Sequence, residues 1–153
     1  MSITRRDAMV GFAALAGTLA RTPGEAQITD GKPAEAQRAI LGPTVFHWGD
    51  LKPEKSSVGA HASICDQPTA TVNQLEMHVG MLNPGEMSHP PHKHVNEELI
   101  ILKEGMCETL SNGEWVKVEA GSVVFNASNS LHAFRNIGQW PAIYHVINWS
   151  PNK

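Results

Sequence analysis

Alternation of apolar and polar residues is the main pattern in the chain from Thr44 onward. Every second residue from Leu75 to Met81 is apolar, and Glu76 and His78 lie between them, which is the period of a half-buried strand. The turn sequence at 83–85 ends this run. Because no window of about 11 residues in this part of the chain has a convincing helical period, the pattern predicts an all-β domain.

The other extended runs are short and are separated by turn residues. The clearest turn is Asn112-Gly113, the preferred centre of a two-residue hairpin. About eight or more short antiparallel strands at this spacing are typical of a double-sheet jelly roll or a small barrel. The predicted runs lie at 45–48, 92–102, 106–110, 115–118, 122–126, 131–136 and 142–149.

The first 26 residues have the features of a secretion signal. Arg5-Arg6 precedes a weakly apolar stretch at 9–20 and small residues up to Ala26, a pattern that resembles a twin-arginine export signal. We therefore predict a signal peptide at 1–26, an arm or linker at 27–43 and one β domain at 44–150. The mature protein is expected to be periplasmic or secreted. An uncleaved amphipathic helix is the alternative interpretation of the first segment.

Charge and cysteine content exclude several classes of protein. The chain has 12 Lys and Arg against 15 Asp and Glu, a formal net charge of −3, without the basic cluster that nucleic-acid binding needs. Two cysteines are too few for a disulfide scaffold or a multi-Cys zinc fold. Export would permit Cys65 and Cys107 to pair, and the sequence leaves that question open. No stable membrane anchor is expected, since the apolar stretch at 9–20 is too short to span a bilayer.

Histidines are concentrated in one segment. Three of the eight lie at positions 89, 92 and 94. On an extended strand His92 and His94 project to the same side, and Glu98 shares their parity. Imidazole nitrogens and a carboxylate oxygen are common donors to first-row transition metals. By itself His-x-His is weak support for a metal site, and a polar surface loop is the alternative interpretation of 89–94.

Two longer motifs resemble those of the cupin superfamily. In the first, Gly85 precedes His92-Lys-His94, Glu98 follows after three residues, and Gly105 after six more. In the second, residues 121–136, the family's spacing from glycine to histidine to asparagine is kept. The resemblance implies a single cupin jelly-roll barrel. It also implies one divalent transition metal (Mn, Fe, Co, Ni, Cu or Zn) with one or two open positions, held by His92, His94, Glu98 and His132.

Two departures from the family pattern affect loops beside the site. The first motif has one extra residue between Gly85 and His92, which lengthens the loop that contains Pro90-Pro91. In the second motif Ala127 and Asn129 replace the family's proline and glycine. Because asparagine tolerates a positive φ better than other non-glycine residues, the turn before His132 is expected to survive.

The resemblance implies several functions. The first is a mononuclear dioxygenase that acts on a small organic substrate, with Glu98 as both ligand and catalytic proton acceptor. The alternatives are a nonenzymatic module that binds, stores or senses a metal or small ligand, and a metal-dependent isomerase. Outer groups of such a site are expected at Glu76, His78 and Phe134, although solvent or core positions are the plainer interpretation of all three. Trp115, Trp140 and Trp149 are expected either to cover the ends of the barrel or to form an oligomer contact, such as that of a homodimer.

Overall fold

The computed structural model describes residues 38–151 of the chain, which contain nine strands and one short 3-10 helix. The helix is Trp48–Asp50. No helix in this part is long and apolar enough to cross a membrane. The strands are β1 Glu54–Lys55, β2 Gly59–Gln67, β3 Val72–Leu82, β4 Glu97–Glu104, β5 Met106–Ser111, β6 Glu114–Glu119, β7 Val123–Asn126, β8 Ala133–Asn136 and β9 Ala142–Pro151.

The strands form two antiparallel sheets that share one core. One sheet has the order β1-β2-β3-β9-β4-β7 and the other β6-β5-β8. Side chains of both sheets meet in the core, where the Phe134 ring of β8 lies 5.0 Å from the Tyr144 ring of β9. Cys107 of β5 is fully buried in the same cluster as Leu82 and Leu102. The prediction of an all-β, single jelly-roll domain is confirmed.

Strand register places one row of polar residues on the inner face of the large sheet. On β4 the inward residues Glu98, Ile100 and Leu102 are buried, and the residues between them are less so. Glu98 lies opposite Asn126 of β7 on one side and Asn148 of β9 on the other. The apolar core therefore ends, at this edge of the inner face, in a patch of polar side chains.

The predicted hairpin is confirmed, and two of the predicted strands are wrong in position or extent. Asn112 and Gly113 have φ of 52° and 85° and connect β5 to β6 as the predicted hairpin. The run at 45–48 is not a strand, since Trp48 begins the 3-10 helix. The predicted strand from His92 begins only at Glu97, because residues 93–96 have no ladder partner.

Strand β2 was missed by the sequence pattern for a physical reason. A bulge between Ser63 and Cys65 shifts its register against β3, and an extra residue interrupts the two-residue period by which a strand is detected. The thiols of Cys65 and Cys107 are both free and buried, so the structure contains no disulfide between them. Burial raises the pKa of the Cys107 thiol to about 12.

The predicted signal peptide at 1–26 lies outside the described residues, as do positions 27–37 of the predicted arm. The described remainder of the arm follows the domain surface without regular secondary structure. Arg38 forms an exposed ion pair with Asp66 at 3.1 Å, and the Leu41 amide donates to the Pro68 carbonyl. These contacts attach the end of the arm to the end of β2.

Candidate metal centre

A loop, rather than a strand, brings the two histidine motifs together. The backbones of His92 and His132 exchange hydrogen bonds of 3.0 and 3.1 Å in an isolated bridge. His94 lies beyond that bridge, in residues without strand geometry. The prediction that His92 and His94 share one strand face is therefore wrong in its reasoning. The rings converge because the loop pairs with the start of β8, and their centroids are 4.5 to 5.5 Å apart.

The turn before His132 is held against the first motif. Asn129 has a φ of 59°, the left-handed conformation that the sequence predicted for it. The backbone amide of Asn129 donates to the His94 carbonyl at 2.8 Å, and the Ser128 hydroxyl donates to the Val95 carbonyl at 2.7 Å. Asparagine thus replaces the family's glycine without loss of the turn.

Backbone carbonyls select the same tautomer of all three histidines. A carbonyl oxygen only accepts hydrogen bonds, so each Nδ1 carries its proton and each neutral ring keeps a free lone pair on Nε2. The pairing of a ligand's second nitrogen with a carbonyl is typical of metal-bound histidine. The Nδ1 to oxygen distances are 3.1 Å for His92 to Pro90, 2.9 Å for His94 to Asn96 and 2.9 Å for His132 to Ser130.

The free nitrogens form a group that could hold a metal ion. One ligand atom from each of the three rings lies within 4.8 Å of the other two. His132 is only 4% exposed, and its Nε2 is buried without a hydrogen-bond partner in residues 38–151. A buried orphaned nitrogen is costly and rare. An ion that accepts this lone pair satisfies it, so the residues present fit a metal with imidazole donors.

Glu98 lies beside the three histidines. Its carboxylate oxygens are 3.7 Å from the Nε2 atoms of His94 and His132. An ion with bonds of about 2.1 Å to both partners spans such a separation, since two bonds reach about 4.2 Å. The Asn126 amide donates to Oε1 at 2.7 Å and orients the carboxylate. The position of Glu98 is therefore that expected of a fourth ligand to an ion held by the three histidines, and this role stays a prediction.

A cavity of about 140 Å³ opens onto the histidine group. Predicted outer residues His78 and Phe134 both line it, while Glu76 lies behind His78 and accepts its Nδ1–H at 2.7 Å. Phe134 is also a core residue. The other cavity residues are a polar set, Ser88, His89 and Asn148, an apolar set, Ile100, Ala133 and Val146, and Tyr144, which has an apolar ring and a polar hydroxyl.

Sequence reasoning missed Tyr144 and Asn148, although β9 carries a signal that identifies them. Tyr144, Val146 and Asn148 are two residues apart and share the inner face. Burial, followed by the charges of the neighbouring Cys107 and Glu98, raises the pKa of Tyr144 to about 12. Its hydroxyl therefore remains a neutral donor at physiological pH. Gly80 makes room for it, because any Cβ at that position would overlap the Tyr144 ring.

Comparison with known proteins gives a family match over part of the chain. Residues 78–148 match the Cupin_2 family, described as a cupin domain. No curated protein matches the chain.

Solved structures with the same fold have diverse descriptions. A predicted oxalate decarboxylase from Thermotoga maritima has a TM-score of 0.55 and 20% identity over 70% of this chain and 99% of its own. The polyketide cyclase RemF from Streptomyces resistomycificus has a TM-score of 0.56 and 20% identity, over 71% and 80%. A sugar phosphate isomerase from Silicibacter pomeroyi has a TM-score of 0.56 and 16% identity, over 69% and 75%. At these identities the likeness shows the fold alone.

Proposed function

We propose that this cupin-domain protein is a mononuclear metal-dependent enzyme that acts on a small organic substrate, and that its first candidate reaction is that of a dioxygenase. One observation carries the proposal. Carbonyl oxygens hold the Nδ1–H of His92, His94 and His132, which leaves three Nε2 lone pairs at one cavity. A histidine that served only in packing would not need the same tautomer as its two neighbours.

Donor chemistry suits a divalent transition ion. A redox-active ion bound here would supply the one-electron chemistry that dioxygen requires. The three imidazoles are neutral donors and Glu98 carries one negative charge, so a divalent ion would keep a net positive charge at the site. That charge favours an ionised substrate oxygen, such as the oxygen of a phenol or an enediol.

The surrounding residues define what can enter. A volume of about 140 Å³ is below the roughly 300 Å³ at which pockets for drug-sized ligands begin, so a small substrate is expected. Ile100, Phe134 and Val146 form an apolar wall that limits water. Tyr144 lines the cavity, and its hydroxyl, which stays protonated, is a candidate donor to a substrate oxygen. Glu98, held by Asn126, is one candidate proton acceptor, the one within the ligand group.

A metal-dependent isomerase is the second candidate, and the position of His78 favours it. His78 lines the cavity and is bound to a carboxylate, which is the arrangement of a base that takes a proton from carbon. Similar folds described as a decarboxylase, a cyclase and an isomerase accord with non-oxidative chemistry as well.

Metal analysis followed by oxygen uptake tests the proposal. The mature chain, beginning near Gln27, is loaded with Fe, Mn, Co, Ni, Cu or Zn and its metal content is measured. Dioxygen consumption is then recorded with phenols and enediols, beginning with catechol, and azide is added to detect an exchangeable position by a spectral change. His132→Ala is the control that should be inactive. Glu97→Gln, which changes a carboxylate outside the proposed donor set, is the control that should behave like the wild type.

Oxygen uptake that depends on His132 supports a dioxygenase. Metal-dependent substrate conversion without oxygen uptake supports the isomerase. A fully loaded protein that neither consumes oxygen, converts substrate nor responds to azide would leave the binding, storage or sensing module as the better account.

A further inference from the structure

A second histidine and carboxylate cluster lies beside the metal centre. His61 of β2 and Glu76 and His78 of β3 each offer one donor atom within 4.8 Å of the others. Their composition resembles a metal site, but their hydrogen bonds differ from those of the first cluster. Here the Nδ1 of His78 bonds to the carboxylate of Glu76 at 2.7 Å, so two of the three candidate donors already satisfy each other.

Glu76 is held from both sides. Its Oε1 accepts from His78 and its Oε2 accepts from the Asn148 amide at 3.0 Å. Burial raises the pKa of Glu76, but the hydrogen bonds from His78 and Asn148 outweigh it and leave that pKa below its usual value. The carboxylate is therefore ionised at neutral pH and accepts the His78 Nδ1–H.

His78 is left with a free Nε2. Among residues 38–151 the only hydrogen bond of the His78 ring is that of Nδ1 to Glu76, and the side chain, 18% exposed, lines the cavity of the metal centre. A carboxylate that fixes the tautomer of a histidine and stabilises its protonated form makes that histidine an effective general base.

The charged groups around His78 are compatible with this role. The ring of His61 packs against that of His78 with centroids 4.5 Å apart, and burial, followed by the charge of His78, lowers the pKa of His61. β9 faces His78 with Val146 and Asn148, which do not titrate. The other titratable residues that line the cavity are His89, Glu98, Tyr144 and the three histidines of the metal centre.

His61 is exposed and lines an open groove of about 440 Å³.

We propose that Glu76 and His78 form the general-base dyad of this site, with His78 as the catalytic residue and Glu76 as its positioning residue. The inference rests on the proposed function. The O–H or C–H bond of the substrate breaks, its electron pair stays on the substrate oxygen or carbon, and the proton forms a bond with Nε2 of His78. The expected substrates are weak acids, namely phenols, enediols or α-hydroxy carbonyl compounds.

Proton counting with catechol as the probe tests the dyad without turnover. Zinc-loaded protein is titrated with catechol by calorimetry under argon, in two buffers of different ionisation enthalpy, at about pH 8, where an ordinary imidazole is neutral. The wild type is expected to release about one proton fewer per bound catechol than His78→Gln, because His78 retains that proton. Glu76→Gln should behave like His78→Gln, since a neutral amide does not stabilise the protonated ring. His145 of β9 lines neither the cavity nor the groove. His145→Gln is therefore the matched control and should release as many protons per bound catechol as the wild type.

The possible failures are distinguishable by zinc content and by catechol binding. Equal proton release from the wild type and both dyad variants, with normal zinc content and catechol affinity, overturns the dyad alone. Two zinc ions in the wild type and one in His78→Gln would show instead a second metal site at the cluster. Catechol that fails to bind the wild type, or that binds His132→Ala equally well, overturns the proposed function and the dyad with it.

Discussion

Replacing His132 by leucine should affect stability in opposite directions with and without metal. In the metal-free protein the buried Nε2 of His132 has no partner, which costs about 2 kcal/mol. Leucine, of similar volume, removes that atom but also removes the Nδ1–H bond to the Ser130 carbonyl, worth about 1 kcal/mol. Because Ser130 is exposed, its carbonyl then bonds to water. The metal-free variant should therefore be more stable than the wild type by about 1 kcal/mol.

Metal reverses this order. At a free metal concentration about 100 times the dissociation constant, binding adds about 2.7 kcal/mol to the stability of the wild type. Loss of one of the donors weakens binding by at least about 100-fold, since even outer partners of ligands are worth 10 to 100-fold. The variant then gains less than about 0.5 kcal/mol, and the wild type becomes the more stable protein by about 1 kcal/mol.

Urea denaturation with EDTA and with excess zinc measures both differences. His145→Leu provides the control, because that histidine packs near Trp48 with ring centroids 6.0 Å apart and should change stability equally in both conditions. A metal-free His132→Leu protein less stable than the wild type by about 2 kcal/mol or more would refute the reasoning. It would mean that Nε2 is satisfied in the folded protein and that the site is not built for an ion.

Three other predictions concern the ligand set, acid stability and export. Glu98→Gln should lower metal affinity by roughly 10 to 100-fold, whereas Glu97→Gln should leave it unchanged. Metal titration of both variants measures the difference, and equal affinities would remove Glu98 from the ligand set. Because the pKa of Glu76 is lowered in the folded state, its contribution to stability is full above its unfolded pKa and is lost as pH falls through the folded pKa. Acid denaturation should therefore be less steep below about pH 4.5 in Glu76→Gln, and identical profiles would contradict the pairing. Lys-Lys in place of Arg5-Arg6 should retain the precursor in the cytoplasm, and normal periplasmic recovery by fractionation and immunoblotting would exclude twin-arginine export.

Local patterns in the chain were sufficient to predict the fold class and most of the strands. The alternation at 75–81 predicted β3, and Asn112-Gly113 predicted the β5–β6 hairpin. Both are local signals: a strand has a period of two, and a two-residue hairpin needs positive φ at adjacent positions. Where a bulge interrupts the period, in β2, the local signal fails.

Motif spacing predicted His92, His94 and His132 as donors, but not how their rings converge. The sequence suggested strand alternation, whereas a loop carries His92 and His94 to the start of β8, 40 positions along the chain. Pairing between such distant segments depends on the packing of the whole sheet, which no local window contains. The sequence alone also left the tautomers undetermined, because these depend on where the backbone carbonyls point.

The sequence by itself determined the all-β class of the chain, its main turns and a set of side chains with the right chemistry to bind a metal ion. What only the tertiary structure decided is which of them face one another. Glu76 and His78 are a polar pair on one strand in the sequence, and solvent would be their ordinary surroundings. The register of β3 against β9 places Glu76 opposite Asn148, and the fold places His78 in the lining of the cavity. Burial beside other strands turns a common surface pattern into an oriented base, since desolvation and fixed partners, rather than residue type, set its chemistry.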